Sequence, residues 1–256
     1  GAVLRIVPAE RTFLNPDEAL HYFVSAQTTF SGVYRASLTT AHPPLMFFIL
    51  HPWIKAASSE FLLRLPFVLS GMLFCWILFS WVVMVAGRGA ALSALGFCLL
   101  SPSLISLSAE VRQYSLLLLF CAASLYCLEK ALEEESARWT LFSFLSLYLA
   151  LLTHYSALIF ATALGIYGLL RLLHSRITAQ LWTLWICGQA GALGLLLLLF
   201  KTQISALRQS GIPAEIASTW LRAYVYKPGK DHLLTFAVTH TVRLFRYFVS
   251  HGTIGV

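Results

Sequence analysis

The chain has 256 residues, of which 58% are hydrophobic and only 11% charged, and its formal net charge is +7. Soluble domains carry about 25% charged residues, so this composition excludes an ordinary water-soluble protein and fits one that crosses a membrane several times. No basic run with interleaved aromatics marks a nucleic-acid groove, and the Lys and Arg residues are instead expected at span ends, against lipid phosphates.

The chain starts at Gly1 with no signal peptide and ends in HGTIGV, which reads as a portion of a longer protein. Residues 1–65 form the first segment, and within it TFLNPDEALHYF (Thr12 to Phe23) sets two acids side by side. Asn15 suits an N-cap, Pro16 the first helical position, and Glu18 the acid of a capping box. Acids also suit the positive end of a helix dipole. Asp17 and Glu18 therefore have two readings, an ordinary helix start or a chemical centre. The helix expected over 16–31 is amphipathic. Ala19, Tyr22, Phe23, Ala26 and Phe30 share an apolar face, and Asp17, His21, Ser25 and Thr28 a polar stripe expected to face water.

In AHPPLMFF, His42 precedes two prolines, which stiffen the backbone; it is either part of a plain turn or a contact for a head-group phosphate. The apolar run that follows predicts a helix over 43–56 that is about half a span long, so it should lie in the interface rather than cross. In SSEFLLRLPF, Ser58 or Ser59 can cap a helix bearing Glu60 and Arg64, a favourable i,i+4 pair that serves structure or function equally.

Six spans are expected at about 66–87, 89–109 (with Pro102 inside), 112–129, 138–153, 155–172 and 177–200, followed by an outer segment over 201–256 that holds the start of a further span from Leu233. The long uncharged stretch is split at Thr153-His154. Arg88, Lys130, Arg138, Arg171 and Arg176 then share one side, which the short-loop rule makes cytoplasmic. Asp17, Glu18, His42, Glu60, Arg64, Glu110, Arg112 and His154 fall on the other, outer side.

Glu110, Arg112 and Tyr114 sit between two apolar runs, where charge is costly unless paired or used; a mutual salt bridge is the plain alternative to function. His154 is the one ionisable group in its uncharged stretch and either bonds the backbone or meets a substrate. EKALEEES reads as a solvated charge run. Cys75, Cys98, Cys121, Cys127 and Cys187 lie in apolar runs at no metal spacing and read as packing residues.

Taken in order, the acidic pair, H-P-P-L at His42, S-E-x-x-x-R-L-P from Ser59, S-P at Ser101, S-x-E-x-R-x-Y from Ser108 and T-H-Y at Thr153 resemble a known family. It is that of the polytopic glycosyltransferases related to protein O-mannosyltransferases and lipid A aminoarabinose transferases, with the membrane fold called GT-C. The resemblance runs from about Asp17 to Tyr155, with Ala109 where relatives often carry Gln. It implies an all-α transmembrane bundle with juxtamembrane helices in its first outer loop, and a preceding span.

It also implies an enzyme of the inner (plasma) membrane with its site on the outer face. The donor would be a sugar on a polyprenyl phosphate and the acceptor a glycan, lipid or protein hydroxyl. Asp17 matches the family's catalytic carboxylate, with Glu18 beside it and Glu110 holding Arg112 or meeting the acceptor. Arg112 is the first candidate for the donor phosphate, and His42 and Arg64 the next. His21, Glu60, Tyr114 and His154 are further candidate substrate contacts. No clear metal-ligand set is visible, and a divalent metal stays open. A transporter or flippase of lipid-linked sugars is the alternative, but it calls for mid-span polar groups and internal repeats, and neither is found; a purely structural subunit leaves the outer charges unexplained.

Overall fold

The computed structural model describes residues 1–174, 178–209, 218–219 and 224–249. Arg176 and the expected start of the sixth span at residue 177 lie outside these, as do parts of the segment after 209. Among the described residues the regular structure is helical throughout: α1 (Ala2–Arg11), α2 (Pro16–Ser25), α3 (Phe30–Ser37), α4 (Leu45–Ile54), α5 (Glu60–Leu100), α6 (Pro102–Ala109), α7 (Tyr114–Glu133), α8 (Ala137–Thr153), α9 (Ala157–His174), α10 (Ala179–Leu199), a π-turn (Phe200–Ile204), α11 (Ser205–Gln209) and α12 (Leu233–Val249).

Among the described residues four helical segments are long and apolar enough to cross a membrane: Glu60–Leu100, Tyr114–Glu133, Ala157–His174 and Ala179–Gln209. The first is two arms, because Gly87 breaks it at φ +80° and ψ 172°, a left-handed backbone that glycine adopts without a Cβ penalty. A second break separates the end of this hairpin from α6. The sequence suggested one span over 89–109, whereas Ser101 is extended and Pro102 opens a new helix at its first position. Proline restricts the residue before it to extended backbone and suits a helix start.

The helix expected over 16–31 is likewise two, α2 and α3, with Thr29 capping the second by accepting the Gly32 N–H at 3.1 Å. The orientation of α2 also differs from the expectation. His21 and Ser25, assigned to a water-facing stripe, are 2% and 0% exposed, while Leu20 and Phe23 are 52% and 66% exposed. The polar groups find partners inside the protein: His21 Nδ1 meets the Val111 carbonyl and His51 Nδ1 the Ser25 carbonyl, both at 2.8 Å. Satisfied hydrogen bonds decide which face turns in, and Leu20 and Phe23 are left outward.

Helix α4 runs about 15 Å, half a hydrocarbon core. Its Met46, Phe47 and Leu50 are fully buried, packed with Val24, Val33, Leu63, Phe67, Val111 and Leu116. This cluster welds α2, α3 and α4 onto α5 and the α6–α7 corner. A second core, around Phe144, Leu147, Leu151, Leu164 and Ala192, holds α7 to α10 together. The candidate residues lie on the first cluster, at the ends of the long helices.

Candidate active site

The adjacent acids of α2 point to different partners. Glu18 is 1% exposed. Its Oε1 accepts from Arg64 Nε and the Val111 N–H, and its Oε2 from Arg64 Nη2 and the Asn15 N–H, at 2.8 to 3.0 Å. The last bond, with Asn15 Oδ1 accepting the Glu18 N–H at 3.0 Å, completes the capping box expected from sequence. Burial alone would raise the Glu18 carboxyl; hydrogen bonds from Arg64, Asn15 and Val111 and the Arg64 charge outweigh it and hold the carboxyl below its ordinary value.

Arg64 is fully buried. Besides Glu18, its Nη1 donates to the Ala9 and Thr12 carbonyls and its Nη2 to the Phe13 carbonyl. A guanidinium has five N–H donors, and here every one has an acceptor. Arg64 was a candidate for the donor phosphate and Glu18 for a catalytic carboxylate. In this fold both are taken up by one another and by backbone groups, every Arg64 N–H and both Glu18 oxygens having partners within the protein. Glu60, placed beside Arg64 by its i,i+4 spacing, is only at the edge of pairing at 4.0 Å and is 45% exposed. The main partner of Arg64 is 46 residues away, a contact that helix periodicity cannot foresee.

Asp17 is the opposite case. Its side chain is 58% exposed, and its Oδ2 lies 2.8 Å from Arg112 Nη2. Arg112 Nη1 lies 3.7 Å from Glu110 Oε2, the Arg112 guanidinium sits 5.2 Å from the Tyr114 ring centre, and the Arg112 Nε, buried, has no partner among the described residues. Ser106 Oγ donates to Glu110 Oε1 at 2.8 Å. Asp17, Glu110, Arg112 and Tyr114 thus converge from α2 and the α6–α7 corner.

Beside them three imidazoles lie in a row, the first pair edge to face and the second tilted. The His21 and His42 rings are 5.6 Å apart, His42 and His154 are 5.6 Å apart, and Tyr114 is 5.6 Å from His154. The Gln113 amide nitrogen is 3.1 Å from His42 Nδ1. Burial drives His42 down to about 3, with His21, His154 and Arg112 adding to the fall. Burial also lowers His21 against the opposing pull of the Val111 carbonyl, and it lowers His154. The cluster is therefore neutral at pH 7. Among the described residues no group of three or more His, Cys, Asp or Glu is arranged to hold a metal ion.

Sequence reading missed several contributors. Gln113 is fully buried against His42; a polar residue inside the corner motif was the available signal. The Val111 backbone serves both Glu18 and His21, and no side-chain pattern announces it. The Tyr155 hydroxyl donates to Gln203 Oε1 at 3.2 Å, tying the π-turn to the bend that carries His154. Tyr247 of α12 also reaches this area. Its carbonyl accepts from Ser103 Oγ, and burial and the Glu110 carboxylate push its hydroxyl up.

An all-helical bundle with several helices long and apolar enough to cross a membrane defines a polytopic membrane protein, of the GT-C type by its family and its structural likeness. The chain belongs to the dolichyl-phosphate-mannose-protein mannosyltransferase family, whose sequence model matches residues 41–202, more than half of its length. The match takes in His42, Arg64, Glu110, Arg112 and His154 and starts after Asp17 and Glu18. Among solved structures, the crystal structure of ArnT from Cupriavidus metallidurans in the apo state is similar, with a TM-score of 0.52 and 15% identity. That likeness covers 94% of this chain and 45% of ArnT, so the chain spans less than half the length of that protein. Comparison with curated proteins gave no match.

Proposed function

We propose that the protein is an inverting glycosyltransferase that moves a sugar from a polyprenyl-phosphate donor to an acceptor hydroxyl at the outer face of the inner (plasma) membrane. The single observation that carries this reading is the contact of exposed Asp17 with Arg112, whose buried Nε is unpartnered among the described residues. It sets a carboxylate able to accept a proton beside a partly exposed guanidinium that can exchange that carboxylate for a phosphate.

In this reaction the acceptor oxygen attacks the anomeric carbon from the face opposite the phosphate. Its proton passes to Asp17, the new glycosidic bond forms, and the bond from the anomeric carbon to the phosphate oxygen breaks. The electron pair leaves with the lipid phosphate, which gains negative charge. Arg112 stabilises that charge, since a guanidinium matches phosphate oxygens and stays protonated. Glu110 holds Arg112 from its other side. His42 and His154 offer neutral imidazole donors next to the same phosphate, and Tyr114 packs against both Arg112 and His154. Much of the rate would come from holding donor and acceptor together. Acceptors are a glycan, lipid or protein hydroxyl.

The test is Asp17→Asn, assayed for sugar transfer from polyprenyl-phosphate donors in membranes. A general base contributes roughly 10²–10⁴-fold, so turnover should drop by that factor while the variant folds and binds donor normally. Turnover like that of the wild type would remove Asp17 from the mechanism.

A further inference from the structure

Helix α12 and the loop before it lie beyond the family match at residue 202, and they divide cleanly into two halves. Leu233, Leu234, Val238, Val242, Leu244 and Phe245 share one half of the helix, and all are exposed, from 44% at Val242 to 69% at Leu234. The other half carries Thr235, Phe236, Thr239, His240 and Arg243, which line a cavity of about 450 Å³ together with Lys227, Lys230 and Asp231. Three cations face one carboxylate there, and the Asp231 Oδ2 already accepts the Lys227 N–H at 2.8 Å. Phe236 and His240 form an aromatic wall, with ring centres 4.1 Å apart.

Two facts limit where such a helix can sit. Its 17 residues reach about 25 Å, short of a hydrocarbon core of about 30 Å, and His240, Arg243 and Arg246 interrupt any apolar path. An apolar half and a cationic half at this length are the pattern of a helix lying in the membrane interface. The contact of Tyr247 with Ser103 pins its C-terminal part to α6, which continues from the long apolar hairpin of α5.

We propose that the cavity bounded by Lys227, Lys230 and Arg243 is a binding site for the headgroup of an acidic phospholipid, with the apolar half of α12 seated among that lipid's acyl chains. The cations supply the phosphate contact, and basic residues at this depth attract anionic lipid. A lipid is favoured over a soluble anion because the cationic and apolar halves belong to one helix, and only a lipid offers both a phosphate and a hydrocarbon tail at the spacing of a helix diameter. None of the residues that line the cavity belongs to the Asp17–Arg112 pair, and the proposal does not depend on the catalytic reading.

The experiment uses the full chain in nanodiscs of mixed phosphatidylglycerol and phosphatidylcholine, with retained lipid counted by native mass spectrometry. Wild-type protein should retain phosphatidylglycerol preferentially, and Lys230→Glu with Arg243→Glu should reduce that preference roughly tenfold or more. Arg243→Lys should keep most of it. A nitroxide on Val238→Cys should be accessible to oxygen and shielded from a water-soluble nickel chelate. Unchanged lipid preference in the double variant, displacement of the lipid by millimolar inorganic phosphate, or a nickel-accessible label would each overturn the proposal.

Discussion

Two arginine–carboxylate pairs start from adjacent residues of one helix, and their surroundings are opposite. The Glu18–Arg64 pair is sealed: both side chains are about 1% exposed and every Arg64 N–H is used. The Asp17–Arg112 pair is open, with side chains 58% and 28% exposed and the Arg112 Nε unpartnered among the described residues. A sealed pair can only hold elements together, here α1, α2, α5 and the α6–α7 corner. An open pair can exchange its partner for a substrate. Charge and position along the chain do not separate the two; hydrogen-bond saturation does.

Breaking the sealed pair should have the larger effect. Removing one member of a buried pair leaves an uncompensated charge and costs about 3–5 kcal/mol. Arg64→Ala would also orphan the carbonyls of Ala9, Thr12 and Phe13, so it belongs at the upper end. Its melting temperature in detergent should fall sharply, and Glu18→Gln should follow it at a smaller cost. An Arg64→Ala protein with unchanged melting and weakened donor binding would mean that the pair had been assigned the wrong way round.

Opening the second pair further should spare the fold. A partly exposed pair contributes roughly 0–1 kcal/mol to stability, so Arg112→Ala should melt near the wild type. Its affinity for a polyprenyl phosphate, read by titration calorimetry, should weaken by about tenfold or more, because a charge-assisted contact contributes about 1.5–3 kcal/mol. Arg88→Ala, at the exposed Gly87 corner, is the control with no change expected. Equal losses in the two variants would undo the phosphate role of Arg112.

This division explains how far the sequence could be read. The fold class was legible because composition and apolar run length report directly on a membrane bundle. The capping box of Asn15 and Glu18 was legible because it is local, and the corner of Glu110, Arg112 and Tyr114 because charge between apolar runs stands out. What failed to show was long-range. Glu18 met Arg64, 46 residues on, and took a structural post, whereas its neighbour Asp17 met Arg112. His21, His42 and His154 came from three separate segments into one cluster, and one of them had been turned toward water. The period of a helix says which residues share a face, but only the partners available say which way that face turns.

The histidine cluster offers the smallest and most diagnostic effect, because it adjoins the open pair and is sensitive to what fills it. Each of the three histidines is lowered in the fold, His42 to about 3, against an unfolded value near 6.5. A group lowered by folding gives its full stability above the unfolded value and loses it as pH falls toward the folded one. Melting temperature should therefore begin to fall below about pH 6.5, before Glu18, whose own loss starts only below its ordinary value of 4.5. His42→Asn should flatten the upper part of this limb and leave the lower part. A polyprenyl phosphate bound at Arg112 would set negative charge beside His42, raise its folded pKa toward the unfolded value and shift the lower end of the limb to higher pH, so that less stability is lost on acidification. The shift should appear in wild type and vanish in Arg112→Ala; an acid limb that ignores the lipid phosphate would place the donor elsewhere.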